Sequence, residues 1–113
     1  DAEFPETARH VASMGAELIL VPTALGAQWD WVSKTMVPTR AYENGVLLAY
    51  ANSAGIENGM GFLGQSFIAA PNGKELARAG ASPELIYAEL KREQVTKAQS
   101  RLPYFNDQKM LKT

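Results

Sequence analysis

The sequence has no cysteine among its 113 residues. These residues therefore supply no disulfide, no thiolate metal ligand and no cysteine nucleophile. A long hydrophobic run is also lacking, because Pro22, Gly26 and Asp30 interrupt the longest apolar stretch before the roughly 18 residues that cross a membrane. We expect no membrane partner and take a cytoplasmic location as the working expectation.

A strong charge of either sign is missing as well. The 11 basic and 12 acidic side chains leave a net charge of −1, and they are mixed along the chain. The densest basic stretch, residues 91–101, is interleaved with Glu93 and Gln94, which is typical of a solvated helix face. Nucleic-acid binding usually needs a basic cluster, so we predict no nucleic-acid partner. We also predict no metal site and no cofactor.

The residues that are present indicate one folded domain over residues 1–113. Hydrophobic residues make up 46% and charged residues 20% of the chain, as in ordinary globular proteins. Pro5 fits the first position of a helix that Gly15 ends. The apolar run 17–21 predicts a strand buried on both faces. A second helix is predicted over about 29–44, and Pro38 should kink it or split it.

The second half of the chain predicts mainly strands. The turn Pro71-Asn72-Gly73 predicts a hairpin between two of them. We predict strands at 46–52, 62–70, 75–79 and 85–90, a turn-rich connection at 55–61 and a last helix at 93–102. The order of elements predicts an α/β fold with a mixed sheet. Its first helix lacks a preceding strand, and chemistry in such sheets usually lies where strands end.

Four motifs occur in order along the chain. They are Asp1-Ala2-Glu3-Phe4-Pro5-Glu6, then Gly15-Ala16-Glu17-Leu18-Ile19-Leu20-Val21-Pro22-Thr23-Ala24, then Arg40-Ala41-Tyr42-Glu43-Asn44, then Gly64-Gln65-Ser66-Phe67-Ile68 with Pro71-Asn72-Gly73. Together they resemble the nitrilase superfamily of carbon–nitrogen hydrolases. The first motif looks like the segment after that family's nucleophile, usually Cys-Tyr-Asp-x-x-Phe-Pro-Glu. The third matches the family's Arg-Ala-x-Glu-Asn.

This resemblance implies the C-terminal part of an α–β–β–α sandwich. The family uses a Glu–Lys–Cys triad, in which the cysteine attacks an amide, nitrile or carbamoyl carbon to give a thioester. The matching cysteine would lie two positions before Asp1, so we expect a chain cut just after its nucleophile and inactive alone. The implied partners are the missing N-terminal half, a second copy in a homodimer or larger homo-oligomer, and a small amide substrate, for which an ω-amino aliphatic amide is one candidate.

The resemblance also identifies candidate site residues, none of them catalytic. Substrate contacts are expected from Thr23, Trp29 and Asp30. Support of the active site is expected from Glu6, Arg40, Glu43 and Asn44. Arg40 is expected to turn inward and hold Glu6. Asp30, flanked by aromatic rings, would hold an ammonium group; the alternative is an acid in the first turn of a helix, favoured there by the dipole.

Two other functions stay open at this point. The chain could be a truncated, non-catalytic relative that serves as an interaction or dimerisation domain. A small doubly wound ligand-binding domain also fits the order of elements, but it leaves the four motifs unexplained. A serine nucleophile at Ser66 is disfavoured, because Gly64-Gln65-Ser66 lacks a sharp strand-to-helix turn.

Overall fold

A computed structural model describes residues 2–109 of the chain. The helical elements are α1 (Pro5–Ser13), a 3-10 turn (Ala27–Trp29), a π-helix (Val32–Met36), α2 (Val37–Asn44), α3 (Arg92–Arg101) and α4 (Tyr104–Lys109). The strands are β1 (Leu18–Thr23), β2 (Leu47–Asn52), β3 (Ala54–Glu57), β4 (Met60–Leu63), β5 (Phe67–Ala69) and β6 (Glu75–Arg78).

The main sheet has four strands in the order β1-β2-β5-β6. β1 and β2 run parallel, joined by the helical segment between them, while β2–β5 and β5–β6 are antiparallel. The turn at Pro71-Asn72-Gly73 joins β5 to β6, and Gly73 takes a φ of +88°, which glycine adopts without a steric cost. The structure therefore confirms an α/β fold with a mixed sheet.

Pro38 splits the second helix, as predicted. The chain enters through the 3-10 turn, is α-helical at residues 30–31, widens into the π-helix and returns to α-helix from Val37 onward. Proline has no N–H group and its ring crowds the preceding turn, so a regular α-helix cannot run through this position. Gly45 ends α2 in the left-handed conformation with a φ of +61°.

One face of the main sheet carries the hydrophobic core. The register aligns Val21, Tyr50 and Phe67 across three strands, and Ile19, Leu48 and Ala69 in the next row. Val37 and Ala41 of α2 cover these rows and are fully buried. α2 is therefore held against the sheet by its apolar face.

The opposite face of the sheet is open. We call it the open face, and it consists of Leu18, Leu20, Pro22, Ala49, Ala51 and Ile68, which alternate with the core-facing residues. Leu20 is 69% exposed, so the prediction of a strand buried on both faces is wrong for β1. Its apolar sequence fits burial on two sides, but within residues 2–109 only one side is covered. β1 is also an edge strand, paired to β2 alone.

Three further sequence predictions of local structure are wrong. Residues 62–70, predicted as one strand, are divided between β4 and β5, which belong to different sheets, and Gly64 and Gln65 between them have positive φ. Residues 85–90 form no strand, because no neighbouring strand offers them a hydrogen-bonding ladder, and Leu85 and Tyr87 are exposed. Residues 55–61, predicted as a turn-rich connection, belong instead to the β3–β4 hairpin, whose tight turn is made by Asn58 and Gly59, both with positive φ.

Within residues 2–109, no helix is long and apolar enough to span a membrane.

The open face predicts self-association of this chain in solution. An exposed apolar sheet face next to an unpaired edge strand favours contact with another copy. Leu20→Lys should weaken association at least about tenfold, because burying an ammonium group costs more than about 1.4 kcal/mol. Sedimentation equilibrium on both proteins measures the effect.

The matched control is Met14→Lys, which adds the same charge at an equally exposed apolar residue beyond the end of α1. It should leave association unchanged. A monomeric unmutated chain at micromolar concentration, or equal effects of the two substitutions, contradicts this assignment of the open face.

Candidate active site

A small cavity lies where β1 and β2 end, beside the first described residues of the chain. Its volume is about 80 Å³. It is lined by Ala2, Glu3, Val21, Pro22, Thr23, Leu25, Val32, Val37 and Tyr50. Carboxyl ends of parallel strands are the usual place for ligands in α/β sheets.

A larger cavity, of about 530 Å³, lies between α1, α3 and α4. Its one acidic side chain, Glu17, is paired with Arg92 at 3.1 Å. Through Ala16 and Glu17 it lies beside the N-terminal end of β1, not at the carboxyl ends of the strands. Size alone therefore does not make it the better candidate for chemistry.

Arg40 braces the segment at the start of the chain. Its side chain is nearly buried, with the residue 6% exposed. Nε donates to the carbonyl oxygen of Ala2 at 2.9 Å, and Nη2 donates to that of Glu3 at 3.0 Å. Hydrogen bonds from a charged donor are stronger than neutral ones. α2 thus fixes the backbone of residues 2 and 3 at the edge of the small cavity.

The predicted pair between Arg40 and Glu6 is wrong. Glu6 lies in the first turn of α1, exposed, where its charge favours the positive end of the helix dipole. The carboxylate that pairs with Arg40 is Glu43, one turn along α2, at 3.2 Å. Residues three apart on a helix are neighbours, so this pair forms locally.

Asn44 forms a hydrogen bond to the backbone of Arg40. It is 2% exposed, and its Nδ2 donates to the carbonyl oxygen of Arg40 at 2.8 Å. Next to it, Nη2 of Arg9 on α1 donates to the carbonyl oxygen of Glu43 at 2.9 Å. The Arg9 bond ties the end of α2 to α1, and the Asn44 bond closes the last turn of α2 onto Arg40.

Asn52 holds the loop that follows β1, a role that the sequence did not reveal. Its Oδ1 accepts the N–H of Leu25 at 2.7 Å, and its Nδ2 donates to the carbonyl oxygen of Gly64 at 2.9 Å. Ser66, set aside as a nucleophile, accepts the backbone N–H of Asn52 at 2.9 Å. The sequence feature that could have indicated this role is a polar amide at the end of an apolar strand, because a partly buried amide side chain needs hydrogen-bond partners nearby.

Tyr50 lines the cavity and was not predicted from the sequence as a site residue. It is almost fully buried and stacks on Phe67 with ring centroids 5.0 Å apart. Burial raises the pKa of Tyr50 above its ordinary 10.0; the nearby Glu3 carboxylate raises it further, while Arg78 lowers it. The phenol is therefore neutral at physiological pH and can act as a hydrogen-bond donor.

The three predicted substrate contacts do not lie together. Thr23 lines the cavity, and its carbonyl oxygen accepts the N–H of Ser53 at 3.1 Å. Trp29 is more than half exposed on the 3-10 turn. Asp30 is also exposed and pairs with Lys34, one turn along, at 3.3 Å. Trp29 and Asp30 thus do not line the small cavity, whereas Thr23 does.

Among residues 2–109, no three His, Cys, Asp or Glu side chains are grouped so that they could hold a metal ion.

The bonds of Arg40 predict a large effect of its removal. Arg40→Ala leaves two backbone carbonyls and the Glu43 carboxylate without their donor, so the free energy of unfolding should fall by about 2–4 kcal/mol. Urea denaturation followed by tryptophan fluorescence gives this value. Arg92→Ala breaks a comparable but exposed pair with Glu17 and should cost less than about 1 kcal/mol. Equal losses for the two variants contradict the bracing role.

Comparison with known proteins places this arrangement in a family. The family model for carbon-nitrogen hydrolase matches residues 1–100. The "hydrolase in pqqF 5'region" of Pseudomonas protegens is 43% identical over 109 residues, covering 96% of this chain and 38% of that protein.

Two solved structures share the fold. The carbon-nitrogen hydrolase from Helicobacter pylori G27 matches with a TM-score of 0.88 at 28% identity, covering 95% of this chain and 43% of that one. A cysteine-to-alanine mutant of the amidase from Nesterenkonia sp. AN1, in complex with butyramide, matches with a TM-score of 0.78 at 39% identity, covering 98% of this chain and 41% of that one. The chain thus spans about 40% of the length of these relatives. It belongs to the carbon–nitrogen hydrolase family, the nitrilase superfamily.

Proposed function

We propose that this chain is the C-terminal part of an amidase that hydrolyses the carbon–nitrogen bond of small amides through a cysteine thioester. The observation that carries the proposal is the double hydrogen bond from Arg40 to the carbonyls of Ala2 and Glu3. A buried guanidinium that donates to main-chain oxygens beside a cavity is suited to fixing a reactive segment. In support, a glutamate-to-glutamine mutant of a related amidase, that of Nesterenkonia sp. AN1, carries the acetamide moiety of fluoroacetamide on its active-site cysteine.

The proposed reaction divides between this chain and the segment before it. A cysteine two positions before Asp1 attacks the amide carbon, the carbon–nitrogen bond breaks, and the amine leaves with a proton. Water then attacks the thioester, which releases the carboxylic acid and restores the thiol. Residues 2–109 contribute the fixed backbone beside the nucleophile, the Asn52-held loop and the apolar wall that receives the acyl group. They supply neither the glutamate nor the lysine of the family's triad.

The open face is the surface on which the rest of the domain is proposed to pack. It is apolar, as the interior face of a two-sheet sandwich must be, and Leu20, on its edge strand β1, is 69% exposed. The relatives are more than twice as long as this chain, which leaves enough polypeptide for a second sheet. A homodimer or larger homo-oligomer and a cytoplasmic location for the complete protein belong to the same proposal.

The alternative is a non-catalytic interaction domain that keeps the fold and has lost the chemistry. The two proposals differ in what must precede Asp1. An amidase requires a cysteine two positions upstream with a glutamate and a lysine earlier in the same polypeptide, whereas an interaction domain requires none of them.

The first test of the proposal is activity. The pure 113-residue chain should not turn over acetamide or butyramide, because it has no thiol. The polypeptide extended upstream in its own gene should turn over at least one of them, and iodoacetamide or replacement of the upstream cysteine by alanine should abolish the rate. Ammonia release measures both. Thiol-independent turnover by the isolated chain would falsify the mechanism, and an extended protein without any turnover favours the interaction domain.

The proposal extends to the far end of the substrate, where Asp30 and Trp29 would hold the ammonium group of an ω-amino amide. In the structure Lys34 occupies the Asp30 carboxylate, so a cationic substrate must compete with it. Lys34→Met frees the carboxylate and should raise the preference for an ω-amino amide over its neutral isostere by about fivefold, the value of an exposed contact of about 1 kcal/mol.

Asp30→Asn is the opposite change and should remove the preference mainly through KM, since the contact is equal in ground and transition states. Steady-state kinetics on the extended protein with both amides supplies the numbers. Identical preferences in the unmutated protein and both variants rule out Asp30 as the ammonium site.

A further inference from the structure

The guanidinium of Arg78, at the end of β6, lies between the sheet and the π-helix. Its side chain is 18% exposed. Nη1 donates to the carbonyl oxygen of Gln65 at 3.0 Å and to Oγ of Ser33 at 3.3 Å, and Nη2 donates to the carbonyl oxygen of Ser33 at 3.4 Å. Glu75 pairs with the same group. Ser33 is fully buried within the π-helix.

The bond to the Ser33 carbonyl has a specific cause in the sequence. The π-helix is closed by a hydrogen bond from the N–H of Val37 to the carbonyl oxygen of Val32, five residues back. The next bond of the same register would join residue 38 to the carbonyl oxygen of Ser33. Residue 38 is proline and has no N–H. Arg78 thus supplies a donor to a buried carbonyl that Pro38 cannot serve.

The same guanidinium also begins a stack that crosses the sheet. Its Cζ lies 4.6 Å from the centroid of the Phe67 ring, and Phe67 stacks on Tyr50 at 5.0 Å with 22° between the ring planes. Cation–π and offset aromatic contacts both favour this order. Arg78, Phe67 and Tyr50 therefore form a continuous column, which we call the Arg78 column.

Both contacts of Arg78 lead to the small cavity. The column ends at Tyr50, which lines the cavity, and the π-helix carries Val32, next to Ser33, which lines it as well. Arg78 itself does not line the cavity. Through Ser33 on one side and Phe67 on the other, it thus links two parts of the cavity wall that come from separate elements, the strand β2 and the π-helix.

We infer that Arg78 is a positioning residue that sets the width of the cavity and thereby the length of acyl group that the site accepts. The inference rests on the proposed function, since it takes the cavity to be the acyl-binding wall of an amidase. Lysine cannot replace this arginine, because an ammonium group cannot stack flat on Phe67 while bonding both Gln65 and Ser33. Loss of the hydrogen bonds from the guanidinium releases the π-helix, and the part of the wall that carries Val32 moves away from Tyr50.

The test compares the polypeptide extended upstream with its Arg78→Met and Arg78→Lys variants on acetamide and butyramide. The ratio of kcat/KM for butyramide to that for acetamide should rise at least about fivefold in Arg78→Met, since one methylene in an apolar pocket is worth roughly 10–200-fold. Arg78→Lys should change the ratio in the same direction. Arg92→Met, at an exposed pair on α3, is the control and should leave the ratio unchanged.

The ratio separates positioning from stability. A variant that is only less stable has fewer folded molecules, which lowers both kcat/KM values by the same factor and leaves their ratio constant. An unchanged ratio in Arg78→Met and Arg78→Lys overturns the inference. If Arg78→Met does not fold, Ser33→Ala, which removes one hydrogen bond of Arg78, replaces it under the same criterion.

Hydrogen exchange gives a readout that needs no activity. Backbone amides of residues 29–37 should exchange at least about tenfold faster in Arg78→Lys, which corresponds to a free energy of local opening lower by about 1.4 kcal/mol. Their exchange rates should be unchanged in Arg92→Met. If the unmutated extended protein turns over no amide, the proposed function fails, and the exchange result alone decides whether Arg78 positions the π-helix. Equal exchange in Arg78→Lys and the unmutated protein counts against it.

Discussion

Arg40 is the constraint on which the candidate site depends. A short segment at the start of the chain has no secondary structure of its own before α1, so something must hold its backbone. The guanidinium does this by donating to two successive carbonyls from a nearly buried position on α2. Burying such a cation is costly unless its donors are satisfied. Glu43, through its side chain, and Asn44, through the Arg40 carbonyl, complete the arrangement.

Polar side chains also hold the other walls of the site, and each one joins elements that are distant along the chain. Asn52 connects the loop after β1 to Gly64, and Arg78 connects β6 to the π-helix across 45 residues. The apolar core places α2 on the sheet, but apolar contacts alone tolerate small shifts. Directed hydrogen bonds fix the strand ends, the loop and the π-helix relative to each other, which a small cavity requires.

The sequence predicted what is decided locally and failed where the answer lies elsewhere in space. Pro38 splits its helix because the missing N–H is a property of that residue. β1 was predicted to be buried on both faces, and residues 85–90 were predicted to be a strand, yet each outcome depends on a neighbouring layer or strand. For Arg40, motif resemblance identified the right side chain but the wrong partner, Glu6, because backbone carbonyls leave no trace in a sequence. Tyr50, Asn52 and Arg78 went unrecognised since their partners lie far along the chain.

The choice of partner for Arg40 has a consequence for which side chains can stand beside the cavity. A brace built on a carboxylate depends on the identity of one side chain. Every residue carries a backbone carbonyl oxygen, so the two bonds to residues 2 and 3 do not depend on the side chains at those positions. Both residues line the small cavity, and their side chains can therefore change the shape and charge of its wall while the backbone keeps its anchor.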